Sequence, residues 1–354
     1  METQKQARSV DSMRIEELND GFLVEYPILS LDLLDEASFN FCSSVRETLF
    51  APMSRAPKRQ TLLSEEAFNI LKWRGMPGSF LPCPYFRKIS LGSLTVELLP
   101  SGEGGGSSFL HVTKGADSGT SLLYAHNWSL YSSRVLRAAA PKPADELVLR
   151  LRQNPLESSH TQDKREIARF LDLATKLTSA GEWVVAVLPS LGPTQMIASE
   201  LHSRGVDIYL DSWNFKTTQA LKVDEIQEGV QGWIHAAKKL ATKPSQDRPG
   251  IIILSKEGLR PGKTPSLPNA IWCCFDCDPI GMHTSHLATP LGITFSEHFA
   301  VKLCPDITDI LALIENVKPR HVTVAGPGAT AVTTSLARHG LSSSSAASSM
   351  LTLF

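Results

Sequence analysis

The sequence has no apolar run approaching the ~18 residues that read as a membrane-spanning helix. Its beginning, Met-Glu-Thr-Gln-Lys-Gln-Ala-Arg, lacks the apolar core of a signal peptide. Only Lys5 and Arg8 precede Asp11, so it also fits a transit peptide poorly. Six cysteines in 354 residues are too few for a disulfide scaffold. They suit a reducing intracellular compartment: nucleus, cytoplasm or mitochondrion. Net charge is -1, so no global field draws the chain to nucleic acid or an anionic membrane. Any attraction of that kind has to come from a local basic strip.

What is present is ordinary globular composition, 42% hydrophobic and 20% charged, with length for one large domain or two. The most informative stretch runs from Leu94 to Arg150. Leu94, Val96 and Leu98 alternate with Thr95 and Glu97, the two-residue period of a half-buried strand. Ser101 to Ser107 reads Ser-Gly-Glu-Gly-Gly-Gly-Ser, a backbone freedom that residues with a Cβ resist. Taken alone, those glycines fit a plain turn as well as a loop that holds something at strand ends. Phe109 to Val112, Ser121 to Tyr124 and Leu147 to Leu151 read as further strands.

Elsewhere, Ser64 to Gly75 is an amphipathic helix with Ser64 as N-cap and Gly75 as its stop; Ala67, Ile70, Leu71 and Trp73 form its apolar side. Lys164 to Ala180 is a second helix. Trp183 to Leu188 is an apolar strand without alternation, as in a parallel sheet covered on both faces. Gly192 opens a helix through Arg204, and Val206 to Leu210, Gly250 to Leu254 and Ala270 to Phe275 are strands. Residues 215 to 249 hold a helical segment. Cys274-Phe-Asp-Cys277 has zinc-ribbon spacing, but no second pair follows at ribbon distance; a strand with small buried thiols is the other reading. Thr308 to Val317 is a helix, and His321 to Val324 the last strand.

Order and spacing together resemble the metallo-β-lactamase fold in its β-CASP nuclease branch, at a length similar to the ligase-associated DNA exonucleases. That family's Gly-His-x-x-Gly-Ser corresponds to Gly102-Glu103-Gly104-Gly105-Gly106-Ser107. Its Tyr-(Thr/Ser)-Gly-Asp corresponds to Tyr124-Ala125-His126-Asn127, and its Asp-x-Leu-(Ile/Val)-x-Glu to Asp145 through Arg150. Ser190-Leu191-Gly192-Pro193-Thr194-Gln195 is similar to a cap motif, and Phe295-Ser296-Glu297-His298 to the family's Phe-Ser-x-His. The resemblance implies an α/β fold, a four-layer αββα sandwich with an inserted β-CASP-like α/β cap. It divides the chain into a flexible N-terminus (1–20), a first part of the sandwich lobe (21–151), the cap (152–291), a second part (292–340) and a disordered Ser/Ala-rich tail (341–354).

The resemblance also implies a dinuclear metal site, and here the framework and the chemistry part. A catalytic zinc needs imidazoles or carboxylates converging from one loop, and two such metals activate a water and clamp the phosphodiester. At those positions stand Pro52, Ser54, Ala56, Pro57, Glu103, Asn127 and Ala325, with Arg150 where an acid belongs. Only Glu103 is a good ligand. The reading is therefore a pseudoenzyme without cofactor, a scaffold or nucleic-acid-binding subunit of an RNA- or DNA-processing or assembly complex, with an active paralogue as one candidate partner. The alternative is an active phosphodiester hydrolase with zinc, its ligands displaced from the family positions. His298 would meet the scissile phosphate in the family; a lone histidine is equally a structural hydrogen-bonding group. Asp32, near the same place by resemblance, carries no role of its own. Lys58, Arg59, Arg134, Arg137 and Lys142 could touch phosphates or be scattered surface cations. Arg150, entering a cavity without two dications, needs a carboxylate partner: Glu103, or an equivalent pair.

Overall fold

The computed structural model describes residues 13–18, 21–33, 35–45, 57–115, 120–126, 128–130, 135–157, 159–188, 191–221, 238–239, 249–255, 259, 267, 269–275, 292–301 and 304–345. Within them lie three sheets and six α-helices, a mixed α/β architecture. The expected strand Thr48 to Phe50 lies outside the described residues.

The first sheet has the order β1 (Ile15–Leu18), β2 (Gly21–Val24), β3 (Leu29–Leu31), β4 (Phe39–Phe41), β5 (Gln60–Ser64), β6 (Phe80–Cys83). β1 corrects the expectation that residues 1–20 are loose throughout: it pairs antiparallel with β2. The second sheet runs β19 (Ser343–Ser345), β18 (His321–Ala325), β11 (Glu146–Arg150), β10 (Ser121–His126), β9 (Ser108–Lys114), β8 (Leu94–Pro100), β7 (Lys88–Leu91). β19 likewise corrects the tail, because Ser343–Ser345 pairs parallel with β18.

Alternation in the sequence decides which layer each residue enters. Leu122, Tyr124 and Val148 face the first sheet and share a core with Phe22, Leu31, Phe41 and Leu62. Their neighbours Leu123, Ala125, Leu147 and Leu149 face the other way, onto α5 (Ile307–Val317) and α6 (Ala329–Arg338). A strand with apolar residues at both parities must be covered on both sides.

The third sheet is wholly parallel, in the order β14 (Lys238–Lys239), β13 (Ile208–Leu210), β15 (Ile251–Leu254), β12 (Val184–Val187), β16 (Ile271–Phe275), β17 (Glu297–Phe299). Val184 and Ala186 turn to the core beneath α2 (His160–Ser179) and α3 (Pro193–Ser203), while Val185 and Val187 turn to the opposite face. Because β17 pairs with β16, the parallel sheet continues past the boundary expected at residue 291. Cys273 and Cys274 are buried in β16, and burial pushes the Cys273 thiol up to about 12. These are core thiols; Cys277 lies outside the described residues.

α1 (Glu65–Trp73) joins the two units. Ser64 caps it by accepting from the Ala67 amide, and Glu65 and Glu66 lie in its first turn. Ala67, Ile70 and Leu71 enter the same core as α2, α3 and α4 (Ser212–Ala220). Trp73, read from the sequence as apolar packing, is instead 51% exposed.

Phe170 of α2 sits at the centre of the parallel unit, edge-on to Phe275 at 4.8 Å and Phe299 at 5.2 Å. Phe170→Ala should cost about 3–5 kcal/mol, read as a lowered urea midpoint. Phe170→Leu should cost markedly less.

Candidate functional site

Across the ends of three parallel strands, His126 of β10, Arg150 of β11 and Ala325 of β18 are neighbours in register. Each has the parity that faces the first sheet. His126 lies two residues beyond Tyr124, so both project from one face of β10. Opposite them the first sheet supplies Asp32, which follows β3, and Ser43, which follows β4. Asp32 has φ +53, the left-handed region that aspartate tolerates better than most residues.

The Asp32 side chain is fully buried, and its oxygens are heavily shared. Oδ1 accepts from the Ser43 amide at 2.7 Å. Oδ2 accepts from Ser43 Oγ at 2.7 Å, from the Tyr124 hydroxyl at 2.7 Å and from His126 Nδ1 at 2.9 Å. Arg150 Nη1 stands 3.8 Å from the same oxygen, its side chain 20% exposed. Asp32 is thus a carboxylate beside Arg150, a pair of the kind that the charge argument asked for.

Burial alone would push the Asp32 carboxyl up. The hydrogen bond from His126, the charge His126 carries when protonated, the charge of Arg150 and the Ser43 amide outweigh burial and hold it well below the usual carboxylate range. Tyr124 moves the other way. Burial and then the Asp32 charge raise its phenol well above its ordinary value, which keeps it a neutral donor.

The glycine loop lies alongside. Ser108 donates its amide to the Ser43 carbonyl at 2.8 Å, and Ser64 Oγ donates to the Gly106 carbonyl at 2.6 Å. Gly106 has φ +77, and a Cβ there would stand 2.4 Å from the Ala67 amide nitrogen. Across the seam, a Cβ on Gly192 would stand 2.4 Å from the Glu103 carbonyl. The loop is thus clasped between α1 and the start of α3, and glycine is what permits both approaches.

The other expected positions are dispersed. Pro57 is buried and accepts from the Ser79 amide. His298 is an exposed residue of β17, its ring 5.8 Å from Phe295 and its carbonyl accepting from Arg169. The backbone amides of Lys58 and Arg59 both bond Asp35 at 2.9 Å. Arg137 Nε pairs with Glu66 at 2.9 Å, and Lys142 pairs with Glu97. Pro52, Ser54, Ala56, Asn127 and Arg134 lie outside the described residues.

The residues present in this row do not fit a metal ion. The guanidinium of Arg150 stands between His126 and the methyl of Ala325 in register, and Asp32 Oδ2 already accepts from three donors. Among the described residues no group of three or more His, Cys, Asp or Glu side chains is placed to hold one. Asp32 and Ser43 were missed as site residues from sequence. The available signal was an aspartate directly after an apolar strand that faces the Tyr124-x-His126 pair.

No protein-family model matches the chain, and no curated protein matches it.

Because Asp32 is depressed in the folded state, its contribution is present above the unfolded value of about 3.9 and is lost as pH falls toward the folded one. Asp32→Asn should destabilise the chain by about 3–5 kcal/mol at neutral pH, since His126 and Arg150 lose their carboxylate. The gap between variant and wild type should narrow in urea titrations below about pH 4. Ser43→Ala, which removes one donor to a charged acceptor, should cost about 1.5–3 kcal/mol.

Proposed function

We propose that the chain is a non-catalytic homologue of the β-CASP branch of the metallo-β-lactamase fold, a binding subunit of an RNA- or DNA-processing or assembly complex. Two facing sheets, helices outside the second sheet and an inserted parallel α/β unit are in keeping with an αββα sandwich carrying a cap. The observation that carries the reading is the Asp32–His126–Arg150 cluster. It stands at the strand ends where the resemblance places metal ligands, and its charge is balanced from within. A cation fixed on the protein stands in for charge that metal ions would supply.

Asp32 already accepts four hydrogen bonds and stands beside a guanidinium, which leaves it poorly placed to ligate the metals that hydrolyse a phosphodiester. Within residues 46–56, where the resemblance puts the main histidine cluster, there is no histidine, cysteine or aspartate. The intramolecular pairs of Arg137 and Lys142 weaken the case for a phosphate-contacting strip beside the old cleft.

The test is metal content together with strand cleavage. Purified full-length protein should hold well under one zinc per chain and leave single-stranded RNA and DNA intact with added zinc or manganese. About two metals per chain, with cleavage, would establish the active two-metal hydrolase instead.

A further inference from the structure

Arg137 and Lys142 of the expected basic strip are paired within the chain, yet another surface combines aromatic rings with cations. α1 and α4 pack across the seam between the two units, and between them lies a cavity of about 180 Å³. Its walls include Trp73 of α1, the C-cap residue Arg74, and Trp213, Lys216 and Thr217 from α4. The Arg74 guanidinium carbon stands 4.0 Å from the centre of the Trp213 ring, and Arg74 Nη2 donates to Thr217 Oγ1 at 3.4 Å. Arginine thus fixes one indole by stacking on it. The other indole, Trp73, leaves half of its surface to solvent.

Three further observations point to a ligand. The lining residues carry two cations and no carboxylate. Lys216 is exposed and has no ion pair among the described residues. Trp213 Nε1 is buried without a hydrogen-bond partner among them, although a buried indole N–H normally finds an acceptor. The volume is below the ~300–1,000 Å³ of drug-sized sites, so it suits one planar ring system. A flat ring with acceptor atoms on its edge and an anion attached is the chemistry of a nucleotide. Every base presents a π-face to an aromatic platform, which makes such stacking tolerant of sequence.

We propose that this pocket takes a nucleotide of a single strand, the base on Trp73 and a phosphate at Lys216. The proposal rests on the reading of the chain as a binding subunit, but it uses a surface separate from the Asp32 cluster.

Tryptophan fluorescence of the full-length protein, titrated with oligothymidylate, oligouridylate, thymidine monophosphate and inorganic phosphate, tests it. The oligonucleotides should quench, and Trp73→Ala should weaken their binding about tenfold. Lys216→Ala should lower the slope of log K against log salt by about one. Trp73 is already half in water, so its variant should melt at the wild-type temperature, which separates lost binding from lost fold. Quenching by the mononucleotide at equal nucleotide concentration would make the free nucleotide the source. Quenching by strands alone would make it the polymer. Wild-type affinity in Trp73→Ala, or quenching by an acidic peptide and by no nucleotide, overturns the proposal. Metal content and cleavage are read separately. A chain that cleaves strands yet quenches through Trp73 would sink the non-catalytic reading alone, and an inert chain that no nucleotide quenches would sink this proposal alone.

Discussion

A carboxylate with no access to water must be surrounded by donors or it will not remain ionised. Asp32 meets that condition only when both sheets of the sandwich are in place. Ser43 comes from the loop after β4, Tyr124 and His126 from β10, and Arg150 from β11. The Ser43 contacts form within the first sheet, but those of Tyr124, His126 and Arg150 need the second. The cluster therefore fixes how the two sheets sit against each other at their open end, where apolar packing gives way to polar residues. Hydrophobic contact among Phe22, Phe41, Leu62 and Val148 brings the sheets together but is indifferent to small slides. Four hydrogen bonds on one carboxylate, two of them from across the sheets, are not.

The glycine loop and α1 extend the same constraint outward. Ser43 is tied to Ser108, Ser108 ends the loop, and the loop presses on α1 and on Gly192. α1 in turn contributes Ala67, Ile70 and Leu71 to the core of the parallel unit. The seam is made of backbone approaching backbone on one side and of shared apolar side chains on the other.

Much of this was legible in the sequence, and the reason is period. Two-residue alternation marked the start of β8, and the unbroken apolar run of Val184 to Val187 marked a parallel strand covered on both faces. Ser64 and Gly192 announced the starts of α1 and α3 through cap chemistry. What stayed hidden depended on tertiary contact. Asp32 reads as a commonplace strand-end aspartate until β10 is laid over it, and its left-handed backbone leaves no local sequence mark. Arg150 was understood as a cation in want of a carboxylate, but that Asp32 would stand beside it follows only from the register of the sheets. Trp73 looked apolar by composition and lies outward, because α1 is gripped by Ala67, Ile70 and Leu71 on its other side. Ser343–Ser345 looked like low-complexity tail, yet it needs only backbone hydrogen bonds to extend the edge at β18.

The position of Arg150 also limits which substitutions the cluster could accept. An acid introduced there alone would set a second negative charge against Asp32 in a space from which water is largely excluded, and both could not stay ionised. An imidazole placed at Ala325 alone would still meet a guanidinium in the adjacent strand. Any single exchange of charge here is opposed by the groups around it. The cluster therefore behaves as one electrostatic unit, whose members can change together but not singly.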